Sequence, residues 1–361
     1  MTLHITSFAK FPVGLKNGVG GKIGRRLYAG LGSAGSRFFC YDLDAPSLGW
    51  QAVAAFPGIA RNDAVAIPVA DGLYVFSGAG STDAAHPPQV LMDGYYFDGR
   101  TGQWQQLDTV LPIGLLGASG CEIQPGYLVF FGGYNNVVFD RFLASLAKVD
   151  QNLEPERYQR LFREFMSQPV EAYGWNQNIW CFDVEHNHWH ILQPNPFSAN
   201  CGAGMIHDGH TVTLIEGEIK PGLRSTQIKQ FIFHSRHEIS CQLIPSIVAS
   251  DSDHEGLAGS YSGQINNNYV IAGGTYFQGS QHNFRKGQWY THLGLTKHYT
   301  DSIWRLDGTC WHKVGCLPSG AAYGISLTTD NGMILIGGEN SQGEPLTSCY
   351  VLDWIDPSAP L

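Results

Sequence analysis

The chain has 361 residues, of which 43% are hydrophobic and 12% aromatic, with 44 glycines and 18 prolines. This composition is typical of an all-β protein with many turns, and the length exceeds that of most domains with one core. The formal net charge of −9 argues against nucleic acid as a partner, because phosphate binding requires a basic surface. No run of about 18 apolar residues occurs, so the sequence predicts no membrane span.

A phrase of apolar residues that ends in glycine recurs along the chain. Its copies are Leu27–Gly32, Leu73–Gly78, Leu128–Gly133, Leu214–Gly217, Val270–Gly274 and Ile334–Gly338. Downstream of most copies, an aspartate that follows an aromatic residue or leucine precedes a tryptophan: Asp42 and Trp50, Asp98 and Trp104, Asp183 and Trp189, Asp307 and Trp311. This resembles the kelch motif, a four-stranded blade of about fifty residues. Six copies predict an all-β, six-bladed kelch-type propeller.

The two ends of the chain complement each other. The last copy lacks a tryptophan-bearing strand after Tyr350–Asp353, whereas Leu3–Pro12 matches the end of the first blade, Trp50–Pro57. We therefore expect the N-terminal strand to complete the last blade, which would leave no open sheet edge. Residues 1–361 are then expected to form one propeller domain.

Two segments interrupt the repeat, at about 135–175 in the third blade and 276–299 in the fifth. In the first, apolar residues at helical spacing follow Pro155, which predicts two short helices that form a lid or a homodimer contact. The second mixes aromatic with polar side chains, among them Gln281 and His292. That mixture is typical of a carbohydrate-binding wall and equally of a solvated hairpin.

Two cations precede the first two blades. Lys16 and Arg61 follow nearly the same linker phrase, so we interpret them as equivalent positions at the entrance of an innermost strand, with Asn62 beside Arg61. In that interpretation both lie next to the central channel. A charge in a surface turn is the alternative for each.

The residue after the glycine step should occupy one structural position in every blade. These residues are Ser33, Ala79, Tyr134, Glu218, Thr275 and Glu339. We expect their side chains to converge on the mouth of the channel, although a lone glutamate here is otherwise a solvated turn residue. Glu218 has Lys220 and Arg224 close by in the sequence. Carboxylates among cations can bind a small acidic, polyhydroxylated ligand and transfer protons on it.

Three histidines alternate around Trp189. If His186, His188 and His190 lay in one strand, they would share a face and could bind zinc. The run falls where a blade turns into its outermost strand, which favours a solvated hairpin. We predict no metal.

Several segments resemble bacterial N-acetylneuraminate epimerase, the sialic acid mutarotase family, over nearly the whole chain. They are Gly30–Gly35, Phe56–Gly58 with Arg61–Asn62, Gly217–Arg224, Gly279–Leu295, and Tyr323–Gly324 with Ile336–Glu339. The phrase Gly-Glu-x-Lys-Pro-Gly-Leu-Arg is the most specific of these. The resemblance implies an isomerase that interconverts the α and β anomers of N-acetylneuraminate without a cofactor.

The resemblance also implies roles for individual residues. The proton acceptor falls on Glu218, which would take the proton of the anomeric hydroxyl, and its partner on Arg224. The residues expected to bind substrate are Lys16, Arg61, Asn62, Lys220, Gln281, His292, Tyr323 and Glu339. Arg224, with Arg61 or Lys16, is expected to hold the sugar carboxylate. The proton for the ring oxygen is expected from Glu339, Tyr323 or water.

The chain departs from the family pattern near this phrase. Glu216 stands before Gly217, where family members have a small or amide residue, so we expect two neighbouring carboxylates and a raised pKa on one of them. Ala321 stands where some relatives have an arginine.

Two observations on the sequence lead to an expectation for the cellular compartment of the protein. No charged and then apolar leader follows Met1, and Cys40 and Cys181 occupy a strand position held by Tyr96 and Arg305 in other blades. The eight cysteines are therefore expected to be reduced, which favours the cytoplasm. Family members are exported to the periplasm, which would apply here if a leader had been removed.

Two other functions are alternatives. A sialidase would show Ser-x-Asp-x-Gly-x-Thr-Trp boxes and an arginine triad, and the sequence has no such box. A non-catalytic kelch propeller that binds an acidic sugar or a protein partner usually has an adaptor domain, for which no residues remain.

Overall fold

The computed structural model describes residues 2–83, 85–248, 253–330 and 332–355. Six four-stranded antiparallel sheets follow one another around a central channel and form the blades of a propeller, as predicted. The N-terminal strand is β1 (Thr2–Ser7). The strands of each blade are given from the innermost outwards. Blade one consists of β2 (Val19–Ile23), β3 (Arg26–Gly30), β4 (Phe38–Asp42) and β5 (Gln51–Ala52), and blade two of β6 (Val65–Val69), β7 (Gly72–Phe76), β10 (Gly94–Asp98) and β11 (Gln103–Gln106). Blade three consists of β12 (Ser119–Gln124), β13 (Tyr127–Phe131), β14 (Asn178–Asp183) and β15 (His188–Pro194).

The other three blades follow the same order. They consist of β16 (Gly204–Asp208), β17 (Thr211–Ile215), β20 (Ile228–Ser235) and β21 (Glu238–Ile244); β22 (Tyr261–Ile265), β23 (Asn268–Ala272), β26 (Ser302–Asp307) and β27 (Cys310–Cys316); and β28 (Ile325–Thr329), β29 (Gly332–Ile336), β30 (Cys349–Ile355) and β1. Three short hairpins extend from the second strands of blades two, four and five: β8 (Ala79–Gly80) with β9 (Gln89–Val90), β18 (Glu218–Lys220) with β19 (Leu223–Arg224), and β24 (Thr275–Phe277) with β25 (Lys297–Tyr299).

The helices lie in the two predicted insertions. They are α1 (Asn136–Leu146), α2 (Pro155–Met166) and α3 (Ser280–Arg285), with 3-10 turns at Gly32–Ala34, Pro46–Leu48 and Val170–Tyr173. Pro155 opens α2, where its missing N–H leaves no helix bond unmade. Among the described residues, no helix has the length and apolar character needed to cross a membrane.

Strand β1 closes the propeller, as the sequence predicts. It pairs antiparallel with β30, for example Ile5 with Leu352, so the last blade contains both the first and the last strand of the described residues. Pairing leaves β30 without an open edge.

The glycine step connects each blade to the next. In blade four, Glu216 and Gly217 have positive φ of 54° and 82°. A Cβ on Gly217 would lie 2.7 Å from the Ala203 Cα, so only glycine fits there. The Gly217 N–H donates to the Leu257 carbonyl of blade five at 2.8 Å. The repeated glycines therefore allow close contact between blades.

The repeated tryptophans fasten the outer strands. The indole N–H of Trp50, Trp104 and Trp311 each donates at 3.0 Å to a carbonyl in the linker before its own blade. The ring packs in the core while its polar edge finds an acceptor, which is how buried indoles are usually accommodated. All eight cysteines are free thiols in this structure.

Candidate active site

One end of the channel is encircled by a ring of backbone hydrogen bonds. Six residues, each two positions before an innermost strand, donate an N–H to the carbonyl of the equivalent residue in the preceding blade, at 2.7–3.0 Å. In order, they are Asn17, Asp63, Gly117, Gly202, Gly259 and Tyr323, and all have positive φ. We call this the backbone ring, and the space above it the channel mouth. The ring rigidly positions the residues on either side of it.

The backbone ring corrects one expectation. Because Asn17 is equivalent to Asp63, the residue equivalent to Lys16 is Asn62, not Arg61. Arg61 lies one position earlier and is buried, where its guanidinium donates to the Asp93 carboxylate at 2.6 and 3.2 Å. Arg61 therefore holds the interior of blade two together, whereas Asn62 is exposed and pairs through its backbone with Ala79.

The six residues that follow the glycine step, here called the post-glycine residues, occupy equivalent positions in the six blades and lie beside the backbone ring. Each donates its backbone N–H to the carbonyl of the residue that precedes a ring member, as Glu218 does to Cys201 and Glu339 to Ala322. The remainder of the channel, beyond the ring, is a cavity of about 690 Å³ lined by all six innermost strands. Glu218 and Arg224, the predicted catalytic pair, do not line that cavity and lie on the mouth side of the ring.

Glu218 and Arg224 face each other across a hairpin. They are paired positions of β18 and β19, and the turn between these strands places Gly222 at φ 78° after Pro221. Proline and glycine favour such a turn because it needs φ near −60° and then a positive φ. The cross-strand pairing brings Arg224 Nη2 to 3.1 Å from Glu218 Oε1. The sequence-predicted pair is thus in direct contact.

Arg224 is enclosed by the fifth blade. It is 1% exposed, and its Nη2 also donates to the Thr275 hydroxyl at 3.2 Å, which lies 2.9 Å from the Tyr323 hydroxyl. The guanidinium stacks over the Phe277 ring at 4.7 Å. Its Nε and Nη1 have no hydrogen-bond partner among the described residues. Arg224 is therefore a buried cation whose nearest counter-charge is Glu218.

Glu339 is surrounded by donors. Lys16 Nζ lies 2.5 Å from Oε2, Lys297 Nζ lies 2.9 Å from Oε1, and the Tyr299 hydroxyl donates to Oε1. Burial raises the pKa of Glu339, but these three hydrogen bonds outweigh it and lower the pKa to about 2. Glu339 is consequently a carboxylate at any physiological pH, which removes it as a proton donor.

Lys220 ties the two insertions together. Its buried ammonium donates to the carbonyls of Gln168 at 2.5 Å and Trp289 at 2.6 Å, and it packs against the Tyr173 ring. Burial lowers its pKa to about 8. The ammonium therefore links the helical segment of blade three to the insertion of blade five, away from the open part of the mouth.

Two further predicted residues contact the hairpin of Glu218 and Arg224. Gln281, at the start of α3, donates its amide to the Arg224 carbonyl. His292 packs on the hairpin turn at Gly222 and beside Phe277, and burial together with the charges of Arg224 and Lys220 lowers its pKa to about 4. His292 is thus a neutral imidazole at neutral pH.

Glu216 points away from Glu218. Its carboxylate accepts the Leu257 N–H at 2.6 Å and contacts His254 Nε2 at 2.5 Å, in the interior of the protein. The pKa of Glu216 is raised by burial, not by Glu218, so the expected coupling of two carboxylates does not occur. Positive φ at Glu216 turns its side chain out of the mouth.

Asp63 was not among the predicted site residues. It belongs to the backbone ring, and burial together with the charges of Glu218 and Glu339 raises its pKa to about 7, although Lys16 opposes this shift. Lys297 was also overlooked. Tyr134 and Thr275 stood in the post-glycine series, but their polar groups were not singled out.

His186 lies in the turn between β14 and β15, with Nδ1 2.9 Å from Asp183 Oδ2. His188 and His190 are in β15 and stack at 5.8 Å. The described residues include no group of three side chains arranged to hold a metal ion.

Together, these observations define a kelch-type propeller with ionisable side chains from several blades gathered around one end of its channel. A family model for N-acetylneuraminate epimerase matches residues 8–358. The chain therefore belongs to the N-acetylneuraminate epimerase family, and is an enzyme of the isomerase class.

Individual relatives agree with this assignment. A kelch domain-containing protein of Vibrio cholerae is 46% identical, with 98% of this chain and 99% of that protein covered. N-acetylneuraminate epimerases of Vibrio cholerae and Vibrio vulnificus are 37% and 36% identical, with 95% and 94% of this chain and 90% and 89% of those proteins covered. The solved structure titled "Structure of YjhT" superposes with a TM-score of 0.91 at 30% identity, over 98% of both chains.

Proposed function

We propose that this protein interconverts the α and β anomers of N-acetylneuraminate by acid–base opening and closing of the sugar ring. The names of its relatives support sialic acid as the substrate. The observation that carries the proposal for this chain is the contact between Glu218 and Arg224 at the channel mouth.

Glu218 has the geometry of a positioned base. Its Oε1 is held by Arg224 Nη2 at 3.1 Å and the Gly222 N–H at 3.4 Å, while Oε2 has no partner among the described residues. The side chain is 19% exposed, so this oxygen is accessible to a ligand. In the proposed reaction it accepts the proton of the anomeric hydroxyl.

Arg224 acts in this proposal by positioning Glu218. The Arg224 side chain is 1% exposed, which leaves little of the guanidinium accessible to a ligand. The partly exposed cations are Lys16 and Lys297, whose side chains are 26% and 33% accessible. We assign the sugar carboxylate to these two lysines.

The charge of the mouth fits a monoanion. The ionised groups nearest the backbone ring are Lys16, Lys297 and Arg224 on the positive side and Glu218 and Glu339 on the negative side. The three positive and two negative charges sum to +1, as long as Asp63 is protonated. An acidic sugar neutralises that excess, even though the whole protein has a net charge of −9.

The required barrier reduction is modest. Anomers of reducing sugars already exchange in water, so a single acid–base pair, contributing roughly 10²–10⁴ in rate, is sufficient.

Anomer exchange measured by NMR on freshly dissolved N-acetylneuraminate tests the proposal. The wild type should accelerate equilibration, and Glu218→Gln, which keeps the shape and one hydrogen-bond acceptor, should lose most of the acceleration. Glu185→Gln is the matched control, since Glu185 is exposed in a turn between outer strands. Absence of acceleration by the wild type, or an undiminished rate in Glu218→Gln, would refute the proposal.

A further inference from the structure

The backbone ring forms the floor of the channel mouth, and its six members differ in whether they have a side chain. Three consecutive members, from blades six, one and two, have side chains: Tyr323, Asn17 and Asp63. The members from blades three, four and five are glycines. A Cβ on Gly202 would have only the Gly259 nitrogen, at 3.8 Å, within 4 Å among the described residues outside its own chain neighbours. The floor is therefore open over blade four, the blade that contains Glu218.

Asp63 and Glu218 lie on two sides of this opening. Asp63 is the ring member of blade two, and Glu218 stands above the ring in blade four. The groups that interact electrostatically with Asp63 are Glu218, Glu339, Lys16, Cys201 and Tyr323, all of them beside the ring. Asp63 and the proposed base are therefore close enough for their charges to interact.

We propose that Asp63 is the general acid of the reaction, a role that rests on the proposed epimerase function. In ring opening, Glu218 takes the proton of the anomeric hydroxyl, and the bond between the anomeric carbon and the ring oxygen breaks. The electron pair of that bond goes to the ring oxygen, which receives the proton of Asp63. The open-chain keto sugar then presents its other face. Closure returns one proton to Asp63 and one from Glu218 to the new anomeric hydroxyl.

The surroundings of Asp63 keep a proton available. Burial and the negative charges of Glu218 and Glu339 disfavour its ionised form, whereas the positive charge of Lys16 favours it. With a pKa of about 7, Asp63 can donate and recover a proton at neutral pH, which is the range in which acid catalysis is most effective.

Glu339 and Tyr323, which the sequence analysis gave as possible donors of the proton to the ring oxygen, are less suited to that role than Asp63. Glu339 is a carboxylate held by two lysines and a tyrosine. The pKa of Tyr323 is raised to about 12, chiefly by burial, so its phenol holds its proton far more tightly than Asp63 does. Its hydroxyl is also engaged with Thr275.

The residues at equivalent positions of the backbone ring indicate which substitutions of Asp63 the fold should accept. Asp63 has φ 54°, a conformation that asparagine and glycine also adopt, and these residues occupy the equivalent positions 17 and 202. Asp63→Asn and Asp63→Gly should thus fold. The control is Asp44→Asn, because Asp44 is exposed and paired with Arg25.

Anomer exchange should be followed between pH 5 and 9 for these variants, with kcat and KM separated. The wild-type kcat/KM should fall as the pH rises through about 7. Both Asp63 variants should lose roughly 10²-fold in kcat, with a small change in KM, and should lose this alkaline limb. Asp44→Asn should behave as the wild type.

The outcomes separate the two proposals. A folded Asp63→Asn or Asp63→Gly that keeps the wild-type kcat and alkaline limb would overturn the role of Asp63, while loss of activity in Glu218→Gln would leave the epimerase function standing. A wild type that does not accelerate exchange would instead remove the epimerase proposal itself.

Discussion

Lys16 Nζ lies 2.5 Å from Glu339 Oε2, although 323 positions separate the two residues in the sequence. The contact joins blade one to blade six, the blade that β1 completes. Lys297 of blade five reaches the same carboxylate at 2.9 Å. Three blades thus meet in one ionic cluster at the channel mouth.

Glu339 should make stability depend on pH in the acid range. Its folded pKa of about 2 lies below the ordinary 4.5, so its contribution is complete above pH 4.5 and is lost as the pH falls toward 2. The shift corresponds to at most about 3 kcal/mol. In denaturant titrations, the difference in unfolding free energy between the wild type and Glu339→Gln should narrow from pH 5 to pH 2. A difference that stays constant over that range would contradict this assignment.

Replacing Arg224 by lysine should impair catalysis more than substrate binding. Lysine lacks the planar guanidinium that reaches both Glu218 and Thr275, so the base loses its fixed orientation. We expect kcat to fall roughly tenfold or more with a smaller change in KM, measured by anomer exchange. If KM rose instead while kcat was retained, Arg224 would bind the substrate directly.

Removing either exposed lysine of the mouth should weaken binding of the acidic sugar. In Lys16→Met and Lys297→Met we expect KM to rise roughly tenfold, the equivalent of one charge-assisted hydrogen bond. Added salt should raise KM in the wild type more than in the variants, because the attraction is screened. Lys22 is in the same blade as Lys16 but lines the opposite end of the channel, so Lys22→Met should leave KM unchanged. Equal effects of all three substitutions would show that the loss is not local.

Lys220→Met should loosen the insertions without unfolding the propeller. Methionine fills the buried space but cannot donate to the carbonyls of Gln168 and Trp289. Hydrogen exchange should become faster in 135–175 and 276–299, while the strands of the blades keep their protection. Lys148→Met, an exposed lysine of the same helical insertion, is the control. Unchanged exchange in both segments would mean that Lys220 does not hold them together.

The repeat and the pair Glu218 and Arg224 could be predicted because both depend on short stretches of sequence. Each glycine step and each tryptophan acts within a blade or toward the next one, so the pattern repeats with the fold. Glu218 and Arg224 are six positions apart in one hairpin, and Pro221-Gly222 defines its turn. Their contact follows from strand pairing alone.

The equivalence of Lys16 and Arg61 was misjudged for an identifiable reason. The linker from Phe56 to Asp63 is one residue longer than that from Phe11 to Asn17, so matching the phrases from their aromatic ends shifts the comparison by one position. The backbone ring, which only the folded structure reveals, gives the correct register. A shift of one position moves a cation from the channel mouth to the interior of a blade.

The amino-acid sequence by itself determined the propeller, its closure by the N-terminal strand, the positions of both insertions and the pairing of Glu218 with Arg224. Only the tertiary structure decided that Lys16, Lys297 and Glu339 form one cluster, that Arg61 and Glu216 turn inward, and that Asp63 belongs to the backbone ring near Glu218. The physical reason is that these relationships arise between blades, where charge and burial depend on side chains that are distant in the sequence. The pKa of a carboxyl such as Asp63 is a property of that assembled environment, and no local pattern encodes it.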